Sequence, residues 1–217
     1  MTPSILQEYL RPGRFVDSDH PAVLGFAREH ARGANDLERA CALYYAVRDM
    51  VRYNPFQNFL SDDAYRASTC LERGEGWCVP KAALLAACAR AAEIPARVGY
   101  ADVKNHLTSA RLTERMGTDL FIYHGFAELW LEDKWVKATP AFNLELCTKF
   151  RVMPLEFDGR NDSIFHAFDA DQRRHMEYVG QRGSFADVPV EEIKQAFGTL
   201  YPNFYNLGPD AANEFFA

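Results

Sequence analysis

The chain has 217 residues, 48% of them hydrophobic and 25% charged, with a net charge of −6. That composition belongs to a folded globular protein able to bury a core without disulfides or metals. The interspersed, slightly acidic charge argues against nucleic acid as a partner, because phosphate contacts need a basic face, and no apolar run reaches the roughly 20 residues that cross a bilayer.

In chain order, "MTPSILQEYLRPGRF" lacks the basic-then-apolar pattern of a signal peptide, so a cytoplasmic chain without membrane contact is expected. "DHPAVLGFAREH", residues 19–30, predicts a short helix capped by Asp19 with Pro21 in its first turn. "GANDLERACALYYAVRDMVRY" predicts a second helix, capped by Asn35 or Asp36, with Leu37, Cys41, Tyr44, Val47 and Val51 recurring at three or four residues. "CLERGEGW" reads as a glycine-bearing loop, followed by an Ala-rich helix over 78–92 and a strand begun after Pro95. Residues 105–118 suggest a short helix within a connection. "LFIYHGFAELWLEDKWVKATPAF" predicts a β-hairpin turning near Glu132–Asp133–Lys134. "HMEYVG" predicts a final strand, and "VPVEEIKQAFGTLY" a last helix opened by Pro189 and acidic residues that the helix dipole favours. Helices first, then mixed strands and helices, predict an α+β fold with an antiparallel sheet. A single domain over 1–217 is expected, with a core of about 19–143 and a C-terminal extension of about 144–217.

Among five cysteines at irregular spacing, Cys78 alone opens a helix. Unpaired N–H groups and the positive end of the helix dipole favour a thiolate there and can hold an oxyanion. Trp77 can wall the cleft or donate its indole N–H. Cys41 and Cys88 lie in apolar helical stripes, and no CxxC or HExxH spacing points to a metal; no cofactor is expected. Of the six histidines, His124 sits within a strand, where an imidazole is held at a fixed position. His166 and His175, in "SIFHAFDADQRRHMEYV", read as part of a polar hairpin.

A thiol nucleophile needs a base, and the base usually needs a group that fixes its tautomer. If Glu132 and Asp133 form a two-residue loop, Leu131 faces Lys134, Phe126 faces Thr139, His124 faces Ala141 and Ile122 faces Asn143. Thr139 and Asn143 then become diagonal neighbours of His124 on one face. Either can accept from the imidazole; Glu128 lies farther along the same face.

"GWCVPKAALLAACARAAEIPARVGY" and "HGFAELWLEDKWVKATPAFN", with the preceding helix ending in "AVRDMVRYNP", resemble the bacterial transglutaminase-like superfamily over about residues 19–143. The resemblance implies a papain/transglutaminase-like core, with Cys78 as nucleophile and His124 as general base. The family's third residue falls fifteen positions after the histidine, in an Asp-Pro dipeptide; here Thr139 precedes Pro140. The implied activity is thiol-dependent acyl transfer on a peptide or small amide, ending in hydrolysis or transamidation. A weakened or inactive peptide-binding module is the alternative motivated by Thr139. "RGEGWC" also resembles arylamine N-acetyltransferases, which would take an acyl-CoA thioester.

Overall fold

Helix α5 (Cys78–Ala91) is buried along nearly its whole length, from Cys78 to Arg90. Its alanines let neighbours approach closely on every side, and Leu84 and Leu85 are wholly buried. Burying each such leucine is worth roughly 1.5–3 kcal/mol. The computed structural model describes residues 3–105, 113–114, 116–164 and 176–201. The short helix expected within 105–118 falls largely outside these, and the polar hairpin with His166 and His175 lies outside them.

Around α5 pack α2 (Pro21–His30), α3 (Asp36–Met50) and α4 (Ala67–Arg73), with α1 (Pro3–Glu8) earlier in the chain. Helix α2 starts one residue later than the sequence reading placed it. His20, not Asp19, is its cap, and its Nδ1 accepts from the Ala22 N–H at 3.3 Å. Helix α3 is capped by Asn35, whose Oδ1 accepts from Glu38 N–H at 2.9 Å, while the Glu38 carboxylate returns to Ala34 N–H at 2.7 Å. This reciprocal arrangement satisfies two otherwise orphaned donors. The stretch expected as a loop over "CLERGEGW" instead begins inside α4, which ends at Gly74 in the left-handed conformation (φ 65°). A Gly at that position stops a helix without steric cost; seven residues were too few for periodicity to show.

The other layer is a sheet of order β5–β4–β3–β6, every neighbour antiparallel. Its strands are β3 (Ala96–Asn105), β4 (Leu120–Leu131), β5 (Lys134–Ala138) and β6 (Met176–Phe185). A parallel pair, β1 (Arg52–Tyr53) with β2 (Glu75–Gly76), leads into α5. A 3-10 turn (Asp62–Tyr65) precedes α4, and helices α6 (Leu144–Phe150) and α7 (Val190–Leu200) follow β5 and β6. The architecture is α+β, as the order of elements implied.

The hairpin turns at Glu132 and Asp133, both at positive φ (46° and 63°), so Leu131 faces Lys134. The register then runs only to Ala127 opposite Ala138. The expected pairs of Phe126 with Thr139, His124 with Ala141 and Ile122 with Asn143 do not form. Thr139 N–H instead donates to Ser163 O at 2.8 Å, and Ala138 bridges to Ser163. Pro140 has no N–H to continue the ladder.

Two anchors tie distant segments to this frame. The Asp187 carboxylate accepts from the N–H groups of Arg14 and Val16 at 2.7 and 2.8 Å. The Tyr201 hydroxyl, just past α7, donates to Leu120 O at 2.6 Å and accepts from Ile122 N–H at 2.8 Å, fastening α7 to the start of β4.

Candidate active site

Cys78 is the first residue of α5, because β2 brings the chain in extended and Trp77 is still extended at the N-cap (φ −95°, ψ −175°). The entry is rigid: Asn54 N–H donates to Gly76 O at 2.9 Å beside the β1–β2 pair. Gly76 is required there, since a Cβ would lie 2.5 Å from Cys70 Sγ.

Strand β4 crosses this helix tip. At Gly125 a Cβ would stand 2.9 Å from Val79 Cα and 3.1 Å from Cys78 O, so only glycine permits the approach. His124 is the preceding residue, opposite Ala101 of β3. Just before it, Tyr123 adopts a left-handed φ of 55°, and the β3–β4 register slips between Ala101 and Val103. A tyrosine there is a backbone outlier, and bulges of this kind redirect neighbouring side chains. The bulge is held by Tyr123 N–H donating to Asp102 Oδ1 at 3.2 Å, with Arg182 donating to the same oxygen at 2.5 Å.

Cys78, His124 and Trp77 line one cavity of about 60 Å³. Cys78 is 6% exposed and His124 7%. The rest of the lining is mostly aromatic and aliphatic, including Tyr53, Phe59, Phe142, Phe197 and Tyr201, with Asn105 as a further polar side chain. The Phe197 ring lies tilted 5.7 Å from Trp77 and edge-on 5.8 Å from Phe59.

The environment of Cys78 differs from the sequence expectation. Burial pushes its thiol up to about 11, while the N–H groups of Gly125, Val79 and Cys78 itself favour the thiolate and partly oppose this. Desolvation of a charge outweighs what one helix terminus supplies. Burial thus favours the neutral form of the Cys78 thiol. All five cysteines are free. Burial raises Cys70 to about 12 and Cys147 to about 11, and Cys88 rises further.

The remaining predicted residues take other partners. The Trp77 indole N–H is not offered to the cavity: it donates to Ala64 O at 3.2 Å, so Trp77 serves as wall. Thr139 and Asn143 are buried, at 2% and 5% exposure, but neither is part of the lining. Thr139 Oγ1 donates to Ile164 O at 2.8 Å, and Asn143 Oδ1 accepts from Tyr53 N–H at 3.1 Å. Glu128 is paired with Arg97, whose guanidinium also lies 4.2 Å from the Trp135 ring centre. The residues missed from sequence are Tyr53, Phe59, Phe197 and Tyr201. Ile193, Phe197 and Tyr201 do recur every four residues, a helical stripe that announced burial but not what it faced.

A 1.9 Å crystal structure of a candidate cysteine protease from Cytophaga hutchinsonii is similar at TM-score 0.49 and 17% identity; the alignment covers 85% of this chain and 55% of that one. The chain thus spans about half the length of that protein. None of the curated proteins matches the sequence. The model of the transglutaminase-like superfamily matches residues 25–140. That stretch runs from within α2 through α5 and the strands β3 to β5 to Pro140, so the chain belongs to the transglutaminase-like superfamily, with the papain/transglutaminase-like core of a thiol-dependent enzyme family.

Proposed function

We propose that the protein is a thiol-dependent acyl-transfer enzyme acting on an amide or ester, with Cys78 as nucleophile and His124 as base. The observation that carries this is the contact of Gly125 with the first turn of α5, which brings β4 against Cys78 while His124 lines the same cavity. The high pKa of Cys78 makes general-base catalysis the working mode rather than a standing thiolate. His124 takes the Sγ proton as sulfur bonds to the carbonyl carbon. The tetrahedral oxyanion accepts from backbone N–H groups at the α5 tip. The C–N or C–O bond then breaks, and the leaving group departs with the proton from His124. His124 next deprotonates water, which attacks the thioester and releases the acid with Cys78 restored as thiol; an amine in place of water gives transamidation. Of the two positioning candidates, Thr139 gives its hydroxyl proton to Ile164 O and the Asn143 oxygen accepts from Tyr53 N–H, so Thr139 is the one put to the test.

The test is acylation by p-nitrophenyl esters, with intact-mass and peptide analysis. The expected result is a burst of nitrophenolate equal to enzyme and an acyl group on Cys78, lost in Cys78→Ala and in His124→Ala. Acylation at Cys78 that is untouched by His124→Ala overturns the reading. A second reading, a peptide-binding module on the same frame, is favoured by the neutral buried thiol; in that case His124→Ala leaves ligand affinity intact and no thioester forms.

A further inference from the structure

We infer that the cavity beside Cys78 is the pocket for an apolar acyl side chain, and that residues outside the matched family core set this preference; the inference rests on the acyl-transfer reading. Among the described residues, no Asp, Glu, Lys or Arg lines the cavity. Phe59, Met176, Phe197 and Tyr201 form part of its wall. Three of these, Met176, Phe197 and Tyr201, lie beyond residue 140, where the family match stops. Tyr201 is fixed by its two hydrogen bonds to the β4 backbone, and Phe197, one helical turn earlier, packs edge-on against it at 5.4 Å. The wall is thus part of the frame that carries His124.

A pocket of this kind discriminates by desolvation. An aromatic or branched side chain entering it leaves water at a gain of roughly 25 cal/mol per Å² of apolar surface. A glutamine-like carboxamide must give up its water for a mostly apolar lining in which few side chains, Asn105 and His124 among them, carry polar atoms, and each of its groups left unpaired costs roughly 1–3 kcal/mol. The acyl donor is therefore an amide or ester whose acyl portion carries an aromatic or branched aliphatic group, not a glutamine side chain.

The experiment alkylates the full-length protein at pH 9 and quantifies adducts on the Cys78 peptide. N-benzyl iodoacetamide is compared with N-(2-carbamoylethyl) iodoacetamide, each rate being divided by that reagent's rate with free cysteine. The benzyl reagent is expected to be favoured at least about tenfold, and Phe197→Ser to shrink that ratio toward unity. Protection of wild-type Cys78 by 3-phenylpropanamide, and not by glutaramide, reads the same preference without a wall variant. Equal normalised rates and no selective protection overturn the inference while leaving acyl transfer standing. A retained benzyl preference with ester acylation indifferent to His124→Ala fails the acyl-transfer reading instead.

Discussion

Gly125 and Val79 touch backbone to backbone: any side chain at 125 would place its Cβ 2.9 Å from Val79 Cα. The strand that bears His124 is thereby docked on the helix that bears Cys78 with nothing between them. Gly125→Ala should force the two elements apart. Overpacking of this sort costs typically about 1–3 kcal/mol, and the loss of approach should cut ester acylation at Cys78 far more than it lowers thermal stability. Urea denaturation together with burst kinetics checks this; full burst amplitude and rate in Gly125→Ala would mean the contact does not set the geometry.

The neutral thiol makes its own prediction. A cysteine held up to about 11 by burial is alkylated through a minor thiolate fraction. The rate at Cys78 should therefore rise about tenfold per pH unit between pH 7 and pH 10, with no plateau near neutrality. A plateau already reached by pH 8 in the iodoacetamide rate profile would instead indicate a standing thiolate–imidazolium pair.

How far the sequence could be read follows from which physics each feature obeys. Cys78, the Ala-rich helix, the hairpin and its Glu132–Asp133 turn rest on local spacing, and local spacing is visible in one dimension. The departure of the chain at Thr139 is not, because it depends on Ser163, which takes the Thr139 N–H from far along the chain. The same holds for Trp77, whose indole N–H goes to Ala64. The thiol pKa was misread because position at a helix start is local, whereas burial by Phe59, Phe197 and Tyr201 is assembled from distant segments. Family resemblance covered the core but not the C-terminal wall, since that wall lies outside the shared pattern.

Thr139 is the least conventional part of the proposed mechanism, and it can be isolated. Thr139→Val keeps the shape and removes the hydroxyl, forfeiting its bond to Ile164 at about 1 kcal/mol. The expected effect is a fall in kcat of about tenfold with KM unchanged, restored by Thr139→Ser. If Thr139→Val is neutral in kcat while Asn143→Ala, still folded, loses turnover, then Asn143 is the positioning residue.

Beneath the site, Lys81 gives a prediction that depends on no assumption about catalysis. Its ammonium is fully buried one turn into α5 and donates to Arg48 O at 2.9 Å and to Val51 O, carbonyls at the C-terminal end of α3. Those carbonyls and the negative end of the α3 dipole favour the cation, but burial dominates and lowers its pKa from 10.5 to about 7. In the unfolded chain the amine regains its ordinary pKa, so between about 7 and 10.5 the unfolded state holds a proton that the folded state has released. Stability from this group therefore rises with pH across that window, and it is lost as pH falls through 7. The thiols, whose raised pKa values act in the opposite sense at alkaline pH, are common to wild type and Lys81→Met and largely cancel in a comparison below pH 9. Urea unfolding of both proteins at pH 6, 7, 8 and 9 should show the stability of wild type minus that of Lys81→Met changing little from pH 6 to 7 and growing from pH 7 to 9. A difference that is flat from pH 6 to 9 would mean that the amine stays protonated in the fold, with the α3 carbonyls outweighing its burial.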